Sequence, residues 1–170
     1  MKVAFLFEKE LSHDLNLKFE PLHYVPYKYG HYNEILDKTI KEMDSLIEKT
    51  FSCDNGKNIH IGDNFTGNFN LTILDVREVY IGDNVMIGPN TLITTVGHPL
   101  SPKGRRTQLA IAEPVTIKND VWIGGNVTIL PGVTIGENVV IGAGAVVTKD
   151  ILDNSLALGV PAKVVRKLEK

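Results

Sequence analysis

Five histidines, His13, His23, His31, His60 and His98, and one cysteine, Cys53, hold most of the proton-transfer and nucleophilic potential of this sequence. His98 stands apart because Gly97 and Pro99 flank it, and the proline restrains the backbone around it. An imidazole ordinarily titrates near ~6.5, so at pH 7 it can accept a proton from an alcohol, a role typically worth ~10²–10⁴-fold in rate. His60, between Ile59 and Ile61, reads as structural, and His13, His23 and His31 read as surface or packing residues. A zinc site of three histidines is not expected, because only His60 and His98 fall in coil or loop context with no third nearby. Cys53 has no activating base beside it and reads as a small apolar filler, not an acyl carrier. Serine and aspartate triads have no supporting spacing.

His98 must be positioned by what surrounds it, and that is a break in a repeat. Ile117, Ile123, Ile129, Ile135, Ile141 and Val147 recur every six residues, with Val121, Val127, Val133, Val139, Ala145 and Ile151 four places behind. Ile61, Gly67 and Ile73, then Ile81, Ile87 and Ile93, carry the same beat earlier. A period of six fits neither a helix nor a plain alternating strand; it fits a short strand and a tight turn, repeated. Glycines such as Gly62, Gly82 and Gly124, and Asn64, Asn84, Asn126 and Asn138, mark the corners, because they accept left-handed backbone at small cost. Three rungs make a triangular turn of about 18 residues whose backbone bonds run between turns, so no rung is stable alone. The fold class expected is an all-β solenoid, a parallel β-helix of hexapeptide repeats. One long excursion, residues 94–116, leaves it between the rungs of Ile93 and Ile117, rich in turn residues and charge. A long loop on a rigid coil is commonly functional. Periodicity by itself leaves both an enzyme and an inert scaffold open.

Residues 1–50 lack the beat, and residues 1–55 read as an irregular and helical segment, with Leu36, Ile40, Met43 and Ile47 predicting an amphipathic helix between about 33 and 50. Residues 56–168 form the coil domain. With 170 residues, 43% hydrophobic and 22% charged, one soluble domain is expected. A net charge of -2 without a basic run offers nothing to nucleic acid or an anionic membrane, which favours a small-molecule partner. The apolar start is too short for a signal peptide and no stretch is long enough to span a bilayer. A lone cysteine agrees with a reducing compartment, so a cytoplasmic location is expected.

Asn58-Ile59-His60-Ile61-Gly62, Asn68-Phe69-Asn70, Leu74-Asp75-Val76, Gly97-His98-Pro99, Val121-Trp122-Ile123-Gly124, Val147-Thr148-Lys149-Asp150 and the run from Gly159 to Arg166 together resemble the maltose and galactoside O-acetyltransferases of the hexapeptide-repeat acyltransferases. The match covers roughly residues 51–168. Leu74-Asp75-Val76 looks more like the maltose branch than the galactoside branch, where a second carboxylate follows. The family's N-terminal helical segment has no counterpart in residues 1–30.

This resemblance implies a left-handed coil, a homotrimer with sites between subunits, acetyl-CoA as donor and a sugar-like hydroxyl as acceptor. It implies His98 as general base in direct transfer, and Asn68, Asp54 and Asp75 as acceptor contacts. Gly125 and Ala143 match positions along the pantetheine arm, with Trp122 walling the groove. Thr148, Lys149, Lys163 and Arg166 match positions near the nucleotide and its phosphates. N-acetylation of an amino sugar or antibiotic on the same coil, and a non-catalytic trimeric scaffold, are the competing readings.

Overall fold

The computed structural model describes residues 51–169. The expected helix between about 33 and 50, and His13, His23 and His31, lie outside the described residues.

Each rung begins as a short strand whose alternate residues face opposite ways. Val115-Thr116-Ile117 shows the pattern, buried, half-buried, buried, with β-branched residues on the inner side. A single strand of two or three residues buries little; stacked copies bury a continuous column. The strands assemble into three parallel sheets that form the faces of a triangular solenoid of about five turns. Face A stacks Phe51–Cys53, Leu71–Leu74, Leu92–Thr94, Thr128–Ile129 and Val146–Val147. Face B stacks Ile59–Ile61, Val79–Ile81, Val115–Ile117 and Thr134–Ile135. Face C stacks Thr66–Gly67, Met86–Ile87, Trp122–Ile123, Val139–Ile141 and Ser155–Leu158, and ends on Lys163–Lys167, which pairs antiparallel. Inside, Ile73, Ile93, Ile117, Ile123, Ile129, Ile135 and Ile141 expose no more than 1% of their surface. Phe51–Cys53, ahead of the expected boundary at 56, already pairs in parallel with Leu71–Leu74.

At the corner between faces B and C, Asn64, Asn84, Asp120, Asn138 and Asn154 all adopt φ between 52° and 58°. Most other side chains would pay roughly 1–2 kcal/mol there. Their side chains also form a ladder: Asn64 Nδ2 donates to Asn84 Oδ1 (3.1 Å), Asn84 Nδ2 to Asp120 Oδ1 (3.0 Å), and Asn138 Nδ2 to Asn154 Oδ1 (2.9 Å).

The turns are not uniform. Thr116 lies opposite Thr134, the expected 18 residues on. Thr72, however, lies opposite Leu92, 20 residues on, and Val139 opposite Ser155, only 16 on. Between Leu92 and Thr128 the distance is 36, because the excursion is inserted there. All of the extra residues fall at one corner, between faces A and B: around 54–57 in the first turn, 75–78 in the second, and the excursion in the third. The excursion itself is ordered. Val96–Gly97 pairs antiparallel with Ile111–Ala112, and a short helix, α1 (Pro102–Arg106), forms the tip. Ser101 caps α1, its Oγ accepting Gly104 N–H at 3.2 Å, and Pro102 opens it.

Candidate active site

The A–B corner carries a buried carboxylate, Asp75, and a buried hydroxyl, Thr95. Asp75 has no exposed surface. Its Oδ1 accepts Asn55 N–H at 2.8 Å and its Oδ2 accepts Asn58 N–H at 3.3 Å, while Asn58 Nδ2 donates to the Asp75 carbonyl at 2.8 Å. Burial pushes the Asp75 carboxyl up, but hydrogen bonds from the backbone of Asn55, Asn58 and Gly56 outweigh it and hold the group below its ordinary 3.8. One turn on, buried Thr95 does the same work: its Oγ1 donates to Leu74 O at 2.7 Å and accepts Arg77 N–H at 3.0 Å. Two of the first three turns thus have their extra residues tied across the stack by side chains. Asp75, expected from the resemblance as an acceptor contact, here faces the turn below it and bonds that turn's backbone. Asp54 lies on the same corner and is exposed.

His98 leaves this corner on the excursion and is exposed. Its Nδ1 lies 2.8 Å from the carbonyl oxygen of Leu109. A carbonyl can only accept, so Nδ1 carries the hydrogen, and in the neutral ring Nε2 is left with a free lone pair. The bond fixes the direction of the ring and leaves Nε2 as its acceptor. Leu109 contributes only its backbone, so no side-chain signal in the sequence points to it.

The other predicted residues occupy different edges of the prism. Thr148 and Lys149 lie on the A–B edge in the last turn, exposed, directly after Val146–Val147. Asn68, Gly125 and Ala143 lie along the C–A edge. Asn68 is exposed, and its Oδ1 accepts Phe69 N–H at 2.8 Å. Adjacent turns touch on this edge: a Cβ on Gly124 would sit 2.6 Å from Ala143 N. Trp122 is half-buried on face C between Met86 and Val140. Lys163 and Arg166 lie on the final strand of that face, Lys163 exposed and Arg166 half-buried. A triangular prism keeps two edges on opposite sides of a face, so one chain does not bring His98 and the Asn68–Gly125–Ala143 edge together. His60 stacks on Tyr80 on face B, centroids 4.9 Å apart, which fits its structural reading. Among the described residues no group of three or more His, Cys, Asp or Glu is placed to hold a metal.

Six-residue rungs on three parallel faces, with a histidine on an excursion from the third turn, define a class: the hexapeptide-repeat transferases with a left-handed parallel β-helix. Residues 114–149 match the bacterial transferase hexapeptide family of six repeats. The galactoside O-acetyltransferase of Escherichia coli K12 is 46% identical over 150 residues, 84% of this chain and 74% of that protein. A Saccharomyces cerevisiae protein is 56% identical over 123 residues, 72% of this chain and 63% of its own length, so the chain spans less than two thirds of that relative. A Vibrio cholerae hexapeptide-repeat acetyltransferase, solved in complex with acetyl-CoA, superposes with a TM-score of 0.69 at 43% identity, covering 71% of this chain and 66% of that one. The chain belongs to the galactoside and maltose O-acetyltransferase family.

Proposed function

We propose that this chain transfers an acetyl group from acetyl-CoA to a hydroxyl of a sugar-like molecule, with His98 as the general base. The observation that carries this reading is the bond between His98 Nδ1 and Leu109 O, which frees Nε2 to take a proton. The acceptor hydroxyl gives its proton to Nε2 as its oxygen forms a bond to the acetyl carbonyl carbon. The tetrahedral intermediate then breaks its carbon–sulfur bond, and the CoA sulfur recovers the proton from the imidazolium. Kinship with a CoA-binding acetyltransferase supports acetyl-CoA as donor. Thr148, Lys149, Lys163 and Arg166 would hold its nucleotide and phosphates, and Trp122, Gly125 and Ala143 its pantetheine arm, while Asn68 and Asp54 would face the acceptor. Because the base and the C–A edge lie on different edges of one prism, a homotrimer, in which a second copy presents its C–A edge to His98, supplies the complete site. We place the reaction in the cytoplasm, in keeping with a lone free thiol at Cys53. Among the described residues no helix is long and apolar enough to cross a membrane.

The test is CoA release with sugar acceptors by the His98→Ala variant. Turnover should fall by about 10²–10⁴-fold, while acetyl-CoA binding by titration calorimetry and the trimer mass by sedimentation stay as in the wild type. Wild-type turnover in that variant removes His98 from the mechanism. A preference for amino over hydroxyl acceptors would turn the reading to N-acetylation, and a chain that fails to bind acetyl-CoA would be a scaffold.

A further inference from the structure

We infer that Arg105 is a positioning residue for His98, and that Gly104 is the small residue that lets it act; this rests on His98 being the base. The twelve-residue path from His98 to Leu109 is closed on itself by hydrogen bonds. Arg105 Nη1 donates to the carbonyl of Pro99 at 3.3 Å and also to that of Leu100, the two residues that follow the histidine. From the same turn, Leu109 N–H reaches Gly104 O at 3.4 Å, Gln108 N–H reaches Arg105 O at 3.0 Å, and Thr107 Oγ1 donates to Gly104 O at 2.8 Å. Leu109 O then receives His98 Nδ1–H. The ring is held from one side through the carbonyls after it, and from the other through Leu109, and both holds run through residues 104 and 105.

Gly104 is required by contact. A Cβ there would stand 2.7 Å from Pro99 Cβ and 2.9 Å from Pro99 Cγ, so any side chain would push the proline next to the base. Among the described residues the side-chain bonds of the Arg105 guanidinium go to the carbonyls of Pro99 and Leu100 and not to a carboxylate. Both bonds to neutral carbonyls come from the one Nη1 group, which stands at a reach that the shorter lysine side chain does not match. Sequence reading had no handle on this pair, because Lys103, Arg105 and Arg106 look alike until the helix sets their directions.

The experiment compares Arg105→Met, Arg105→Lys and Gly104→Ala in the full chain. It measures CoA-release kinetics and the tautomer of His98 by nitrogen NMR on ¹⁵N-histidine protein, the His98 signals being identified by their loss in His98→Gln. In all three variants kcat should fall by about 10²-fold, the scale of a reacting group displaced by about 1 Å, with the KM for acetyl-CoA unchanged and the Nδ1–H form of His98 no longer dominant. The excursion lies outside the stacked strands, so the melting temperature should not move. Full activity in Arg105→Met overturns the inference. Wild-type kcat in Arg105→Lys with a raised KM in Arg105→Met also overturns it, since that pattern belongs to a charge that meets an anionic substrate. An undisturbed tautomer in Arg105→Met overturns it whatever the kinetics. Were His98→Ala itself to keep turnover, the base assignment would fall, while the tautomer measurement would still judge the hold of Arg105 on the ring.

Discussion

The B–C and A–B corners of this prism turn the chain through the same angle by different physics. At B–C each turn uses one residue in left-handed backbone, and Asn and Asp side chains at the surface bond from turn to turn. At A–B the first three turns carry extra residues, and buried Asp75 and Thr95 satisfy the backbone groups those residues leave behind. A buried backbone N–H without a partner costs about 1–3 kcal/mol, so inserted residues demand inserted acceptors. The regular corner builds a spacer. The irregular corner builds a platform, and the longest insertion on it carries the histidine.

The contrast can be broken at graded points. Alanine at His98 should remove about 10²–10⁴-fold of turnover and leave the melting temperature alone, because the residue is exposed and off the stack; a calorimetric scan beside a CoA-release assay checks both. Asp75→Ala should do the reverse, costing about 2–4 kcal/mol by urea unfolding through two orphaned backbone donors. Asp75 also sets a pH signature. Its folded pKa lies below 3.8, so its contribution is complete above the unfolded value and is lost as pH falls below that value through the folded one. Unfolding midpoints taken from pH 5 downward should therefore drop more steeply in the wild type than in Asp75→Asn. On the regular corner, Asn84→Ala should cost about 1–2 kcal/mol, from left-handed backbone at φ 57° and two lost side-chain bonds, while Asn84→Gly recovers the backbone share. Smallest of all, Lys118→Met should change stability by less than about 1 kcal/mol, since its 3.5 Å contact with Asp153 is half in water.

Much of the coil could be read in advance because a period of six is a local property: Ile117 through Val147 keep it, and every one is buried. Asn64, Asn84, Asn126 and Asn138 were readable as corners for the same reason, and all four have positive φ. The longer early turns were less plain, although the step of eight from Ile73 to Ile81 was a phase slip that records them. The backbone bonds of Asp75 were not legible, because its partners lie 17 and 20 residues away on another turn, and burial at a corner depends on the neighbouring turn, not on the residue. Gly97-His98-Pro99 could be singled out by its neighbours in sequence, whereas the group bonded to the ring could not, because it is the backbone carbonyl of Leu109.

The reversed final strand, Lys163–Lys167, bears on how such a rod ends. A stack of parallel strands offers at its terminus the same hydrogen-bonding edge it used at every step, an invitation for another molecule to continue the column. On face C that invitation is withdrawn: the last strand runs backwards and presents Lys163, Arg166 and Lys167 at the rim. Another copy that continued face C in the parallel sense would meet a strand of the opposite polarity and the exposed charges of Lys163 and Lys167.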